Sequence, residues 1–164
     1  MEKLMEDDID IEEDTQKNKF LTFTIDKEEY GIEIKYVTEI IGIQQITEIP
    51  ELPEFIKGVI NLRGKIIPVM DVRLRFRKEA KEYNDRTCVI VIDINEIIIG
   101  YIVDKVSEVI AIQEENILPP PSLSKNIQNR YIKGIGKVND EVKLLLDCEK
   151  ILKDDEIENI NKIL

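Results

Sequence analysis

The segment from Gly58 to Gly64 is the first candidate for a chemical site, because two glycines bracket a basic turn there. A phosphate-binding loop has four residues between its glycines, but five lie between Gly58 and Gly64, and Ile66 stands where Ser or Thr would bind magnesium. A second pair, Gly134 and Gly136, lacks the third glycine of a dinucleotide-binding turn and leads into another strand pattern. Neither segment predicts a nucleotide site, and a turn between hairpin strands explains the second one better.

The residue types that carry most catalysis and metal binding are missing or poorly placed. The chain has no His, which removes the commonest general base and metal ligand. Cys88 and Cys148 lie far apart without a Cys-x-x-Cys spacing, so we expect buried reduced thiols instead of a zinc or redox site. The acidic residues 1–14 have no glycine where a calcium loop needs one. We therefore predict a binding protein that is not an enzyme and has no metal or cofactor.

Residues 61–78 form a local basic segment in a chain whose net charge is −11. The net acidity and the single aromatic residue of this segment, Phe76, argue against a nucleic-acid partner. An acidic or hydrogen-bonding protein surface is more plausible, because Arg offers a planar set of donors. The residues alone leave open whether Arg63 contacts a partner or only solvates the turn before Gly64. The cations of this segment are Arg63, Lys65, Arg73, Arg75, Arg77 and Lys78, against the single acid Asp71.

Targeting signals are absent from the sequence. The first ten residues lack the apolar stretch of a secretory signal, and the longest apolar run, Ile97 to Val103, is far too short to span a bilayer. We expect a cytoplasmic protein without direct membrane insertion.

The elements that would carry these residues are mainly strands. Ile is abundant and only two Ala residues occur, which favours strands over helices. Short apolar runs, separated by Gly, Asn, Asp or Pro, continue to residue 147, and only 72–77, 147–152 and 155–164 have a helical pattern. Pro68 cannot donate to a ladder and predicts an edge strand or a bulge. The predicted class is mainly β.

Two blocks of sequence repeat along the chain. Residues 55–71 match 131–147 at an offset of 76, and residues 31–41 match 100–110 at an offset of 69. Two similar units of about five strands would be too small to leave their edges exposed, so we expect two barrels that bury a common surface and leave a groove at the seam. Chance similarity between Ile-rich strands is the alternative.

The central segment from Asn61 to Phe76, with the sequence NLRGKIIPVMDVRLRF, resembles the signature of the CheW family of chemotaxis coupling proteins. The resemblance continues in EYGIEI from Glu29, in FIKGV from Phe55, in VDKVSEV from Val103 and in YIKG from Tyr131, and it covers about residues 18–152. It implies two five-stranded, SH3-like barrels with an apolar layer between them. This agrees with the two units that the repeat predicts.

The resemblance also implies a function. CheW proteins are non-catalytic adaptors that join the cytoplasmic tips of methyl-accepting chemoreceptors to the histidine kinase CheA. In that family the receptor tip docks at the groove between the barrels, and the CheW-like regulatory domain of the kinase pairs barrel to barrel. The implied protein is a monomer when free and is recruited to membrane receptor arrays through its partners. The alternative within the family is a regulatory or coupling domain of a CheA or CheV type protein, against which a start Met and a terminal helix argue.

The motifs carry the family's contact positions onto particular residues, some for the receptor and some for the kinase. Gly58 and Gly64 would shape the backbone, and ordinary core packing is the alternative for each Val. The positions are Val37, Glu39, Gly58, Asn61, Leu62, Arg63, Gly64, Val106 and Val109.

The predicted organisation has three parts. Residues 1–18 form an acidic flexible tail, since eight acids and one Lys lie in residues 1–14. Residues 19–152 form the CheW-like domain, with subdomains of roughly 19–85 and 86–152 and with strand exchange possible. Residues 153–164 form a C-terminal helix.

Overall fold

The computed structural model describes residues 16–120 and 130–152, and this part of the chain is built mainly from strands. The Ile- and Val-rich runs form them because β-branched side chains fit a pleated surface. The strands are β1 (Lys19–Ile25), β2 (Glu28–Glu33), β3 (Val37–Gly42), β4 (Ile56–Leu62), β5 (Lys65–Asp71), β6 (Cys88–Ile94), β7 (Ile97–Val103), β8 (Lys105–Ala111), β9 (Ile117–Leu118), β10 (Ile132–Val138) and β11 (Glu141–Leu146).

Helical structure in the described residues is short. The α-helices are α1 (Val72–Arg75) and α2 (Cys148–Leu152), and 3-10 turns occupy Ile34–Tyr36 and Glu114–Asn116. Both α-helices fall inside the predicted helical ranges. The predicted helix at 155–164 and the acidic residues 1–15 lie outside the described residues.

The strands form two sheets with the same internal order. The six-stranded sheet has the order β8-β1-β2-β11-β10-β9, and the five-stranded sheet has the order β3-β6-β7-β5-β4. Apart from the two-residue β9, each strand of one sheet has a counterpart at the same place in the other. The parallel pairs, β2 with β11 and β7 with β5, are also equivalent. The repeat seen in the sequence is therefore a structural repeat.

Irregularities in the ladders repeat at the same offsets. The register of β4 shifts between Ile56 and Gly58, and that of β10 shifts between Ile132 and Gly134, 76 residues later. The backbone N–H of Asp71 donates to the carbonyl of Phe55, and that of Asp147 donates to Tyr131, both at 2.7 Å. Chance similarity between strands would not reproduce these details, so that alternative is excluded.

Each half of the chain contributes strands to both sheets. The hairpin β1–β2 pairs with strands from the second half, and the hairpin β6–β7 pairs with strands from the first half. The ranges 19–85 and 86–152 therefore do not each form one sheet. Hairpins are exchanged between them.

Alternating side chains divide the core into three apolar clusters. Each sheet curves into a barrel. In β6, Ile90 and Ile92 point into the largest cluster, whereas Val89 and Val91 point into the interior of the barrel formed by the five-stranded sheet. A smaller cluster around Phe20 fills the interior of the barrel formed by the six-stranded sheet. We call the largest cluster the shared layer, because both sheets supply it: Leu21, Phe23, Ile25, Tyr30, Ile32, Phe55, Ile56, Met70, Val72, Phe76, Ile90, Ile92, Ile94, Ile99, Tyr101, Val103, Tyr131, Ile132, Leu146, Cys148 and Ile151.

The architecture is thus a pair of SH3-like barrels packed on a common apolar layer, as the sequence predicted. One barrel has six strands instead of five, since β9 adds beside β10 at Gly136 and Ile135. The expectation of an edge strand at Pro68 was wrong. Strand β5 lies between β7 and β4, and its ladder with β7 starts at Val69, directly after the residue that cannot donate. A bulge does occur in the other ladder of β5, with β4, and it lies in β4 opposite Val69 and Met70.

Candidate protein-binding surface

The turn between β4 and β5 presents Arg63 and Gly64 to solvent. Leu62 pairs with Lys65, so the loop has two residues, and Arg63 and Gly64 have φ values of 52° and 86°. Two consecutive positive φ angles are typical of the tight hairpin turn that matches strand twist. The Asn61 Oδ1 atom accepts a hydrogen bond of 2.8 Å from the Gly64 N–H. Asn61 and Gly64 therefore fix the direction in which Arg63 leaves the barrel.

An ion pair joins the β4–β5 turn to β3, an outer strand of the five-stranded barrel. The Arg63 Nη2 atom donates to Oε1 and Oε2 of Glu39 on β3, at 2.6 and 2.7 Å. The Arg63 side chain is 71% exposed and the Glu39 side chain 28% exposed. Such an exposed pair stabilises a fold by only about 0–1 kcal/mol. Its main effect is to hold the guanidinium in place with donors left for another molecule.

Gly58 shapes the backbone and is itself buried. Its φ is 143°, and a Cβ atom at this position would lie 2.1 Å from the carbonyl oxygen of Thr47. Thr47 exchanges two backbone hydrogen bonds of 2.9 Å with Val59, so the chain before β4 crosses it closely. Gly58 therefore positions the strand that leads to Arg63.

The remaining sequence-derived positions are spread over both barrels. Leu62 packs on the interior cluster of the five-stranded barrel. Val37 and Val106 are partly buried against the shared layer, at equivalent places on β3 and β8. Val109 is 52% exposed on β8, an outer strand of the six-stranded barrel. The structure thus brings Glu39, Asn61, Arg63 and Gly64 into one turn region and leaves Val106 and Val109 on the other barrel.

Exposed apolar side chains next to this region were missed from the sequence. Ile40 follows Glu39 on β3 and is 43% exposed, and Ile66 pairs with Asn61 and is 52% exposed. Their repeat counterparts, Val109 and Val142, are also exposed. The alignment of the repeat, combined with strand alternation, could have identified them. We call Glu39, Ile40, Asn61, Arg63 and Ile66 the Arg63 surface.

The basic segment 61–78 does not form one positive patch, which corrects its interpretation as a contact region. Arg73 and Arg75 on α1 are buried. Arg73 Nη2 lies 2.6 Å from an Asp26 oxygen and also binds Asp104. The helix begins at buried Asp71, whose side chain accepts a hydrogen bond from the Leu74 N–H. The sequence pattern could not reveal this, because α1 turns two of the six cations inward.

The buried Arg75 side chain stacks on two aromatic rings. Its guanidinium lies 4.3 Å from the centre of the Phe55 ring and 5.0 Å from that of Tyr131, whose hydroxyl it also contacts. Stacking on two rings in the shared layer explains how a buried cation is tolerated. Of the cations in the basic segment, Arg63, Lys65 and Arg77 are exposed.

The described part of the chain has neither a cluster of metal ligands nor a membrane-spanning helix. Within residues 16–120 and 130–152, no three potential metal ligands among His, Cys, Asp and Glu come together. None of the helices described there is long and apolar enough to cross a membrane.

Comparison with known proteins places this geometry in a family. Residues 19–156 match the CheW-like domain. The chemotaxis protein CheW of Klebsiella aerogenes is 38% identical over 150 residues, covering 92% of this chain and 90% of the relative. The crystal structure of the scaffolding protein TtCheW from Thermoanaerobacter tengcongensis superposes with a TM-score of 0.78 at 37% identity, covering 85% of this chain and 94% of that protein. The match to the chemotaxis protein CheV3 of Helicobacter pylori, 31% identical, spans 76% of this chain but only 41% of that protein.

Proposed function

Since the chain belongs to the CheW-like family and is a chemotaxis coupling adaptor, we propose that it joins the cytoplasmic tips of methyl-accepting chemoreceptors to the histidine kinase CheA. It acts without catalysis in the cytoplasm and reaches the membrane arrays through its partners. Receptor state controls kinase activity through the contacts that the adaptor holds together.

The Arg63 surface carries this proposal. Its guanidinium is held by Glu39 with donors still exposed. Ile40 follows Glu39 on β3, Ile66 pairs with Asn61, and both expose apolar area. Arg is enriched among interface hot spots, and exposed apolar side chains on neighbouring strands can add buried area to such an interface. A partner with acidic or carbonyl groups next to an apolar stripe would satisfy both features.

Repetition of the exposed positions supports pairing between barrels. Val109 stands where Ile40 stands in the other barrel, and Val142 stands where Ile66 stands. The CheW-like regulatory domain of the kinase would face one of these two edges, barrel against barrel. Val37 and Val106, which reach the margin of the shared layer from the two barrels, are then the positions for a receptor helix.

The test is binding of the full chain to CheA and to a soluble receptor tip, measured separately by titration. We expect Arg63→Ala to weaken at least one of the two complexes by about tenfold or more, as for a hot-spot arginine. Val37→Asp should weaken receptor binding more than kinase binding, because Val37 is a proposed contact for the receptor helix and a charge there opposes an apolar contact.

Arg77→Ala is the matched control. Arg77 is also exposed and also has a positive φ, 60° against 52° for Arg63, so both substitutions carry the same backbone cost. Binding of both partners should be unchanged in this control. If Arg63→Ala and Val37→Asp bound both partners as tightly as the unmodified chain, the proposed surface would be wrong.

A further inference from the structure

An open pocket of about 620 Å³ lies at one end of the six-stranded barrel. Its floor is apolar and is made by Phe20, Ile117 and Leu145, which belong to or pack on the interior cluster of that barrel. None of the residues of the Arg63 surface lines it. The pocket is therefore separate from the surface proposed for the coupling function.

The rim of the pocket is basic in an acidic chain. Four lysines line it, Lys17, Lys19, Lys35 and Lys133, against two glutamates. Glu33 is shared between Lys35, at 3.2 Å, and Lys133. Within the part of the chain that the structure describes, Lys17 and Lys19 form no ion pair. With respect to those described residues, two cations at the mouth are thus available to an anion.

The fold does not require this charge cluster. In the repeat, Lys19 and Lys35 are equivalent to Cys88 and Asp104 of the five-stranded barrel. Both positions therefore tolerate an uncharged or an acidic side chain in the same architecture. The rim is a property of one barrel end and not of the barrel fold.

We propose that the acidic segment 1–14 of the same chain binds in this pocket. It carries eight acids against one Lys, a net charge of −7, which complements the rim. Gln16, where the described chain starts, lines the pocket itself. Ile11 lies five positions before Gln16, and an extended stretch of that length reaches roughly 17 Å.

The segment also has side chains for the apolar floor. Ile9 and Ile11 alternate with Asp8, Asp10 and Glu12. In an extended stretch, such alternation sends the Ile side chains to one face and the carboxylates to the other. The Ile residues would cover Phe20 and Leu145 while the carboxylates meet the lysines. Because the segment is tethered, its effective concentration at the pocket is high and untethered acidic peptides are excluded.

The absence of Trp from the chain allows a direct test in the full-length protein. Ile11→Trp introduces a single indole, whose emission and quenching by acrylamide report burial. We expect a blue-shifted, protected indole at low salt that becomes exposed near 1 M salt, where charges are screened beyond about 3 Å. Adding Lys19→Glu should raise the exposed-to-protected ratio by roughly three- to tenfold, as for loss and reversal of a surface ion pair.

Lys137→Glu is the matched control for the charge reversal. Lys137 is exposed on β10, the strand of Lys133, but does not line the pocket. It should leave the indole signal unchanged, and thermal unfolding of each variant verifies that the fold is intact. An indole at position 11 that is exposed at low salt, or that responds equally to Lys19→Glu and Lys137→Glu, contradicts the proposal.

A second reporter distinguishes the other candidate occupant of the same chain. In Ile160→Trp, the indole lies in the segment 153–164. If this indole, and not the one at position 11, were protected and released by Lys19→Glu, the pocket would belong to that segment and the proposal would be wrong. Neither outcome depends on CheA or receptor binding, so the test is independent of the coupling function.

Discussion

The interior of the five-stranded barrel is aliphatic at six buried positions, whereas the equivalent positions of the six-stranded barrel carry mixed chemistry. Ile67 is replaced by Lys143, Ile60 by Gly136 and Ile102 by Glu33. The space beside Gly136 is taken by Ile112, since a Cβ atom on Gly136 would lie 2.8 Å from the Ile112 Cδ1. The complete set Ile60, Ile67, Val69, Val89, Val91 and Ile102 corresponds to Gly136, Lys143, Leu145, Phe20, Thr22 and Glu33.

The shared layer shows the opposite behaviour. Apolar members from the two repeats match in pairs, such as Phe23 with Ile92 and Met70 with Leu146. The two barrels therefore keep the same strand order while only one of them keeps an aliphatic interior. This contrast indicates that burial of the shared layer contributes more to the stability of this topology than the packing inside each barrel does.

Exchanging the interior residue at one equivalent pair gives the largest expected effect. Ile67→Lys should destabilise the protein by about 3–5 kcal/mol in urea unfolding, because it buries a charge among aliphatic side chains. Lys143→Met, which replaces the charged side chain by an apolar one of similar length, should change stability by less than about 1 kcal/mol, because the acids that pair with Lys143 are partly exposed and can be solvated. Equal costs for the two exchanges would contradict the difference between the interiors.

The symmetry of the shared layer predicts a pair of similar, slightly smaller effects. Ile25 and Ile94 occupy equivalent places and are 0% and 4% exposed. Ile25→Ala and Ile94→Ala should each lower the free energy of unfolding by about 2–5 kcal/mol. Each substitution should move one common urea transition to a lower urea concentration, because both barrels pack on the same layer.

The exposed Ile40→Ala is the control for these two substitutions. It removes the same atoms from the surface, where changes are usually within about 0.5 kcal/mol. Two separate transitions, or a cost confined to one barrel, would show that the barrels unfold independently and that the layer does not unite them.

The sequence predicted the parts of this structure that depend on local pattern. Alternation, turns and the repeat identified a mainly β fold with two barrels and a common apolar surface, and the signature identified the Arg63 turn. The exchange of hairpins and the inward course of α1, which buries Arg73 and Arg75, depend on tertiary packing and have no local signal. Exposure of Ile40 and Ile66 likewise depends on which face of each strand meets the shared layer.

Labelling of the two thiols tests the shared layer with the smallest disturbance of the protein, because it requires no substitution in either core. Cys148 belongs to the shared layer, and burial raises the pKa of its thiol to about 12, so little of the reactive thiolate forms near neutral pH. Cys88 starts β6 at a barrel end and is partly exposed. Iodoacetamide should therefore alkylate Cys88 in the folded protein and Cys148 only when the layer opens, as peptide mass mapping over time would show.

Urea below the unfolding transition should leave Cys148 unmodified if the layer opens only in global unfolding. Cys88→Ser, the control, should not alter the rate at which Cys148 is alkylated. Rapid labelling of Cys148 in native buffer would mean that the shared layer opens locally, against the role assigned to it.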